Sequence, residues 1–409
     1  MPFFIETISS ESGGLHMFSL DNIRQMLKHH GDFHLDLKVI HVGGTNGKGS
    51  TSLMIQNILI QAGYRVGIYT SPFDMGRFDN ININHIQIQK EEIERLQHCF
   101  QEDFERFHLS PFEIDTWIAL YYMKEHHVDY AVIEVGLGGK DDATNVVMPI
   151  LSVITNIGLD HQDVLGYGYA SVAEKKAGII KDWVPVVLGH DINPEAFQVL
   201  SDHANQHHST LHLVKEYQIT RRNPKIELRY ENQIYQLNTL ADYQARNASL
   251  AIEASKVLIS LGVNISQHHI QQGIAMGVPP KRFQLLSSSP MIIIDGAHNK
   301  EGMERLIESI QKLEFTQKIR VIVAILKDKP YLEMIELLKG ITDDITLTTF
   351  EHERAMDLSL FHDDTIHLEH DYQKSLSSMD QHPDAIHLIT GSLYFLSVAV
   401  NTLKGMMNR

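Results

Sequence analysis

The stretch VIHVGGTNGKGST, residues 39–51, runs from an apolar strand directly into a glycine-rich turn that carries a lysine. Gly44, Gly47 and Gly49 let the backbone turn with its N–H groups facing inward. A helix expected to begin near Ser50 directs the positive end of its dipole at the same place, and Lys48 adds a mobile cation for outer phosphates. The spacing departs from the common loop GxxxxGK[ST]: Val42 stands where the first glycine belongs, and Gly49 separates the lysine from the hydroxyl. With an apolar strand before it and an amphipathic run after it, the turn reads as a phosphate cradle and points to ATP-dependent chemistry.

Outward from this turn, short apolar runs at residues 39–42, 67–70, 130–135, 151–155 and 185–188 alternate with helical patterns, which predicts a parallel α/β sheet. Residues 210–238 alternate polar with apolar and predict a small antiparallel patch. A second α/β series follows at 291–294, 319–324, 345–349 and 386–389. The polar stretch 287–290 is taken as the boundary, giving a P-loop-type ATPase domain over residues 1–286 and a Rossmann-like domain over 291–409. Residues 351–371, rich in His, Asp and Glu, read as a solvated loop with a short strand.

Bulk composition narrows the class. The chain has 409 residues, 43% of them hydrophobic and 21% charged, enough for a sizeable core in a soluble globular protein. Its 35 basic and 51 acidic residues give a formal charge of -16, which argues against nucleic-acid and anionic-membrane surfaces. The single cysteine, Cys99, excludes an intrachain disulfide and fits a reducing cytoplasm; it is expected to be a buried small side chain. Residues 1–18 lack a basic start followed by an apolar run, so they do not read as a signal peptide. None of the 25 histidines falls in HExxH, and most are expected at the surface.

Polar residues cluster just beyond the strands. Glu134 lies at the end of the run DYAVIEV, one residue before its last, and precedes Gly136, Gly138 and Gly139, while Asp142, Thr144 and Asn145 follow in one turn. Asp160 and His161 follow LSVITNIGL, and Ser71 follows the second strand. A carboxylate, an imidazole and a hydroxyl at one sheet edge suit a divalent cation beside phosphates.

In this order the motifs GTNGKGS, TSPF, EVGLGGxxDATN, GLDH, KAGIIK, DYQxRNA, IDGAHN and TGSLY resemble those of the folylpolyglutamate synthases, with most shared by the bifunctional dihydrofolate synthases of the Mur-ligase superfamily. The resemblance spans residues 20–404. It implies an ATP-dependent amide ligase that joins L-glutamate to the γ-carboxylate of a reduced folate through an acyl phosphate. By resemblance, Asn46, Gly47, Lys48, Gly49 and Ser50 hold phosphates, and Asn247, Arg282 and Asp295 complete the nucleotide contacts. Ser71, Glu134 and His161 match magnesium ligands, and Lys176 matches a carbamylated lysine. Lys48, Lys176, Glu134 and His161 are the residues expected to carry the chemistry.

Phe112 and Glu113 match a dipeptide near the family's pterin pocket, though Phe112 fits equally as core on a helix continuing through Trp117 and Leu120. His298 and Ser392 match the glutamate site, and Asp328 and Lys329 match a further pair. Three departures stand out: DMGRFDNINI replaces FNERI after TSPF and leaves Asp79 and Asn80 in that loop, Lys175 replaces a glutamate, and Asp141 takes a position often apolar. The alternatives are a dihydrofolate synthase acting on dihydropteroate, alone or bifunctionally, and an ATP-binding paralogue with weakened catalysis. A monomer with small-molecule partners is expected.

Overall fold

The computed structural model describes residues 19–71, 80–222 and 225–407. The strands of the first sheet are β1 (Val39–Gly43), β2 (Val66–Tyr69), β3 (Ile81–Ile83), β4 (Ile86–Gln87), β5 (Tyr130–Glu134), β6 (Pro149–Ile154), β7 (Val186–Leu188) and β8 (Leu211–Leu213). They lie in the order β4-β3-β2-β5-β1-β6-β7-β8. All pairings from β2 to β8 are parallel, and β3 and β4 form an antiparallel edge. Every residue of β1 and β5 is buried, as a sheet covered on both faces requires.

One face of this sheet packs on the helices Lys48–Gln61, Tyr243–Ser260 and Gln267–Ala275, around Ile55, Ile58, Val132 and Leu258. The other packs on Asp21–His29, Lys90–Arg106 and Pro111–Glu125, around Trp117, Leu120 and Ile133. The expected amphipathic run after the glycine turn is a helix buried on nearly every side, because a second helical layer covers its outer face. That layer comes close: a Cβ on Gly273 would lie 2.6 Å from the Ile58 Cα.

The predicted antiparallel patch is a three-stranded sheet of β9 (Tyr217–Arg222), β10 (Lys225–Tyr230) and β11 (Gln233–Leu237). The second large sheet contains β12 (Gln284–Ser288), β13 (Met291–Ile294), β14 (Ile319–Val323), β15 (Ile345–Thr348), β16 (His367–Glu369) and β17 (Ile386–Thr390), in the order β12-β13-β17-β14-β15-β16. Only β12 runs antiparallel. The expected boundary at 287–290 therefore falls inside a hairpin of this sheet, since β12 pairs with β13. Polar Ser287 to Pro290 mark a turn between paired strands rather than a linker.

Two smaller expectations also change. Cys99 is exposed, because the apolar seam of its helix runs through Leu96, Phe100 and Phe104, one position out of phase with it. The segment 351–371 is not simply solvated: Met356, Leu358, Phe361 and Ile366 are buried against the second core. Residues 1–18, and all of the DMGRFDNINI departure before Asn80, lie outside the described residues. Among the described residues no helix is long and apolar enough to cross a membrane.

Candidate active site

Strand register brings the predicted polar groups to one edge. Val42 of β1 pairs with Glu134 of β5, Gly43 with Ile154 of β6, and Tyr69 of β2 with Ile133 of β5. The glycine turn, Ser71, Glu134 and the loop carrying Asp160 and His161 thus leave the sheet side by side, where parallel sheets bind ligands. In the second sheet Ile294 pairs with Ile389, and Val323 with Thr390, which aligns Asp295 to His298, Leu326 to Lys329 and Ser392. The two sheets turn these carboxyl ends toward a common cavity of about 290 Å³.

Nearly all of the expected site residues line that cavity: Asn46, Gly47, Lys48, Gly49, Ser50, Ser71, Glu134, His161, Lys176, Asn247, Arg282, Asp295, His298 and Ser392. Phe112 and Glu113 do not. Phe112 packs over Gly136, where an added Cβ would lie 2.5 Å from its ring, and its centroid is 6.3 Å from that of Tyr69. Glu113 takes part in a capping box: its Oε2 accepts from Ser110 N at 2.8 Å and Ser110 Oγ at 2.7 Å, while its Oε1 is buried without a hydrogen-bond partner. The sequence pattern S-P-F-E announced that cap as readily as a ligand site.

The phosphate turn is built tightly. Its helix begins at Lys48, two residues earlier than the sequence implied, with Gly47 as N-cap at φ 85° and no side chain to cap the first-turn N–H groups. A Cβ on Gly47 would collide with Asn247 Oδ1, and Asn247 is itself held by Gln244 at 2.8 Å. Below the turn, Asn46 N donates to Asn156 Oδ1 at 2.8 Å, and Thr155 Oγ1 donates to Asn46 O at 2.7 Å. The glycine loop after β5 is pinned by Asp142, which accepts from Leu137 N at 2.7 Å and Thr144 Oγ1 at 2.5 Å, with His41 on the same Thr144 hydroxyl at 2.9 Å.

Electrostatics in the first wall are under-satisfied. Glu134 is 2% exposed, and its Oε2 is buried with no hydrogen-bond partner. Burial pushes its carboxyl up to about 7, opposed by Lys48, whose Nζ lies 4.0 Å away, and by the Ser71 backbone N–H. Burial, reinforced by the like charge of Lys48, brings the Lys176 ammonium down to about 7; its Nζ donates to Gly44 O at 2.8 Å. His161, at φ 53°, is held below its ordinary value by burial and by Lys329, so its imidazole is neutral at pH 7.

Contacts between the two walls include several residues without an assigned role in the sequence reading. Burial opposes ionisation of Asp160, but Lys329 at 2.9 Å, His161, and Asn299 Nδ2 at 2.9 Å together hold its carboxyl well below the usual range. Lys329 Nζ also lies 3.3 Å from His161 Nε2. Glu301 accepts from Asn46 Nδ2 at 2.9 Å, Asn156 Nδ2 at 2.7 Å and Arg305 at 2.5 Å, so the phosphate turn touches the second lobe directly. Asp295 accepts from Tyr243 OH at 2.5 Å, Phe283 N at 2.8 Å and Ala297 N at 2.8 Å. Tyr243 lay within the DYQxRNA motif, but nothing in sequence spacing pointed to its partner 52 residues away.

The departures Lys175 and Asp141 pair with each other at 2.6 Å, so the two unusual charges offset one another. Both are more than a third exposed, and such a pair contributes little stability.

Comparison with known proteins agrees with this arrangement. The Mur ligase middle domain matches residues 42–255, and the Mur ligase glutamate ligase domain matches residues 281–393. A folylpolyglutamate synthase from Lacticaseibacillus casei is 36% identical over 397 residues, covering 90% of each chain. The chain belongs to the folylpolyglutamate synthase/dihydrofolate synthase family. A dihydrofolate synthase/folylpolyglutamate synthase from Bacillus subtilis (strain 168) is 34% identical, with 94% of this chain and 95% of the relative covered. A solved FPGS–AMPPCP–folate complex superposes with a TM-score of 0.85 at 32% identity, over 95% of each chain. The α/β architecture, with its large parallel sheet and second mixed sheet, is that of the family.

Proposed function

We propose that this chain is an ATP-dependent ligase that joins L-glutamate to the γ-carboxylate of a folate. The observation that carries this reading is the cavity: a capless helix N-terminus with Lys48 on one side, and His298 and Ser392 on the other, face one space. The neighbouring lobe and the FPGS–AMPPCP–folate relative support a nucleotide and a folate as its occupants.

In this reading the folate carboxylate oxygen attacks the γ-phosphorus of ATP, the bond to ADP breaks, and an acyl phosphate forms. The neutral amine of glutamate then attacks the acyl carbon, phosphate leaves, and the amine gives up its proton. Lys48 and the first-turn N–H groups of Lys48, Gly49 and Ser50 hold the phosphate oxygens where charge shifts during transfer. Contacts from Glu301 and Lys329 keep the lobes together and exclude water from the acyl phosphate.

The unpartnered Oε2 of Glu134, the Ser71 hydroxyl and the neutral His161 imidazole fit a hard divalent cation, and these are the residues that would hold Mg²⁺. When bound, it would supply positive charge to offset that of the phosphate groups. Lys176 suits carbamylation, because an amine near 7 is substantially neutral and can attack CO₂, losing a proton to become an anion. The described residues lining the cavity all come from one chain, which is in keeping with a monomer, and a single exposed cysteine suits the cytoplasm.

The test is glutamate-dependent ADP release with dihydropteroate, folate monoglutamates and folate polyglutamates as separate acceptors. Stimulation by folates supports the proposal. Stimulation by dihydropteroate alone would make the chain a dihydrofolate synthase, and ATP binding without amide formation from any acceptor would overturn the ligase reading.

A further inference from the structure

A second cluster of metal-binding side chains lies outside the cavity. His29 and His30, at the C-terminal end of the helix Asp21–His29, meet Asp103 of the helix Lys90–Arg106. His30 Nε2 is 3.0 Å from Asp103 Oδ2, and His29 Nε2 is 4.0 Å from Asp103 Oδ1. Two imidazoles thus address the two oxygens of one carboxylate, and one ligand atom from each residue falls within 4.8 Å of the others. We propose that His29, His30 and Asp103 form a binding site for a divalent transition-metal ion of the zinc class, which staples these two helices together.

The donor set decides the class of ion. Two imidazole nitrogens and one carboxylate oxygen suit zinc or cobalt far better than magnesium, which prefers oxygen. Tetrahedral zinc with bonds of about 2.0–2.1 Å places its donors roughly 3.4 Å apart. The separations of 3.0 and 4.0 Å run to different oxygens of Asp103, and one ligand atom from each residue lies within 4.8 Å of the others, so side-chain rotation has to draw the three donors together around an ion.

The surroundings hold the ligands in place. The His30 ring lies edge-on to Phe100 at 5.3 Å and to Trp117 at 5.5 Å, and the His29 ring lies against Phe107 at 5.5 Å. The carbonyl end of the first helix points its negative dipole toward the same place, which favours a cation. His29 is 45% exposed, so water can complete the coordination. Neither helix contributes a residue to the ligase cavity, so the staple would act on stability rather than turnover.

The experiment is titration of Zn²⁺ into the full-length enzyme with Mg²⁺ and a nonhydrolysable ATP analogue saturating the cavity, followed by calorimetry and thermal melting. Co²⁺ absorption reports the ligand type independently. One equivalent is expected to bind and raise the melting temperature. His29→Asn and Asp103→Asn should each weaken binding by about tenfold or more and remove the melting shift. His268→Asn, which changes an exposed histidine elsewhere, should behave as wild type. Unchanged ligase turnover in His29→Asn and Asp103→Asn shows that they fold. Zinc binding that is absent, that survives both substitutions, or that disappears only in Glu134→Gln would overturn the site.

Discussion

The two walls of the ligase cavity each bury a carboxylate, and they treat it in opposite ways. In the first wall Glu134 keeps one oxygen without a partner, and the nearest ammonium is 4.0 Å away. In the second wall Asp295 is just as deeply buried, but three donors within 2.8 Å satisfy both of its oxygens. A buried charge left unpaired costs stability, so its retention in one wall and not the other marks where a ligand supplies the missing interaction. The first wall is organised to receive charge; the second is organised to hold its own shape and close on the first.

The largest expected effect comes from the first wall. Lys48→Ala and Glu134→Gln should each lower kcat by about 10²–10³ while leaving circular dichroism unchanged. Residual turnover above a tenth of wild type in either variant would break the contrast between the walls.

Acid–base linkage sharpens it. Because the Glu134 carboxyl is raised from 4.5 to about 7 in the folded state, the unfolded chain ionises first. Stability attributable to this residue therefore falls as pH rises from 4.5 to 7 and stays level above. Without metal or nucleotide, Glu134→Gln should gain on wild type across that window, by on the order of 3 kcal/mol at its upper end. Parallel denaturation curves for the two proteins would show that Glu134 is not strained.

The glycine turn is the next test. Gly47→Ala places a Cβ at φ 85° against Asn247, and should cost about 1–3 kcal/mol of stability together with nucleotide affinity. Chemical denaturation and AMPPCP titration measure the two losses. Equal values for variant and wild type would mean that the turn relaxes freely.

The smallest effect belongs to the second wall. Tyr243→Phe removes one of three donors from Asp295 and should cost about 1 kcal/mol in denaturation, without the pH signature of Glu134. A larger loss confined to turnover would mean that Tyr243 acts on substrate instead of on the wall.

Much of this was legible along the chain. Short apolar runs such as β1 and β5, alternating with helical patterns, predicted a parallel α/β sheet, and glycine spacing after β1 predicted a phosphate turn, because strand burial and positive φ are local demands. Polar residues at the last position of parallel strands or up to seven positions beyond them were identifiable because every such strand ends at the same edge. The buried character of the helix Lys48–Gln61 was not legible, since it depends on a layer contributed by residues 243–275. Nor was the hairpin of β12 and β13, whose polar turn reads like a linker.

The amino-acid order by itself therefore determined which groups leave each strand and which chemistry they are able to perform. Only the tertiary structure decided which of them share a space. Pairing Asp160 with Lys329, Asn46 with Glu301 and Tyr243 with Asp295 joins residues 52 to 255 positions apart. Helical and strand periodicity reports only near neighbours, whereas those pairs form where the edges of two sheets meet. Glu113 shows a side chain serving its own helix terminus: Oε2 accepts from the N-cap Ser110, while Oε1 is buried without a hydrogen-bond partner.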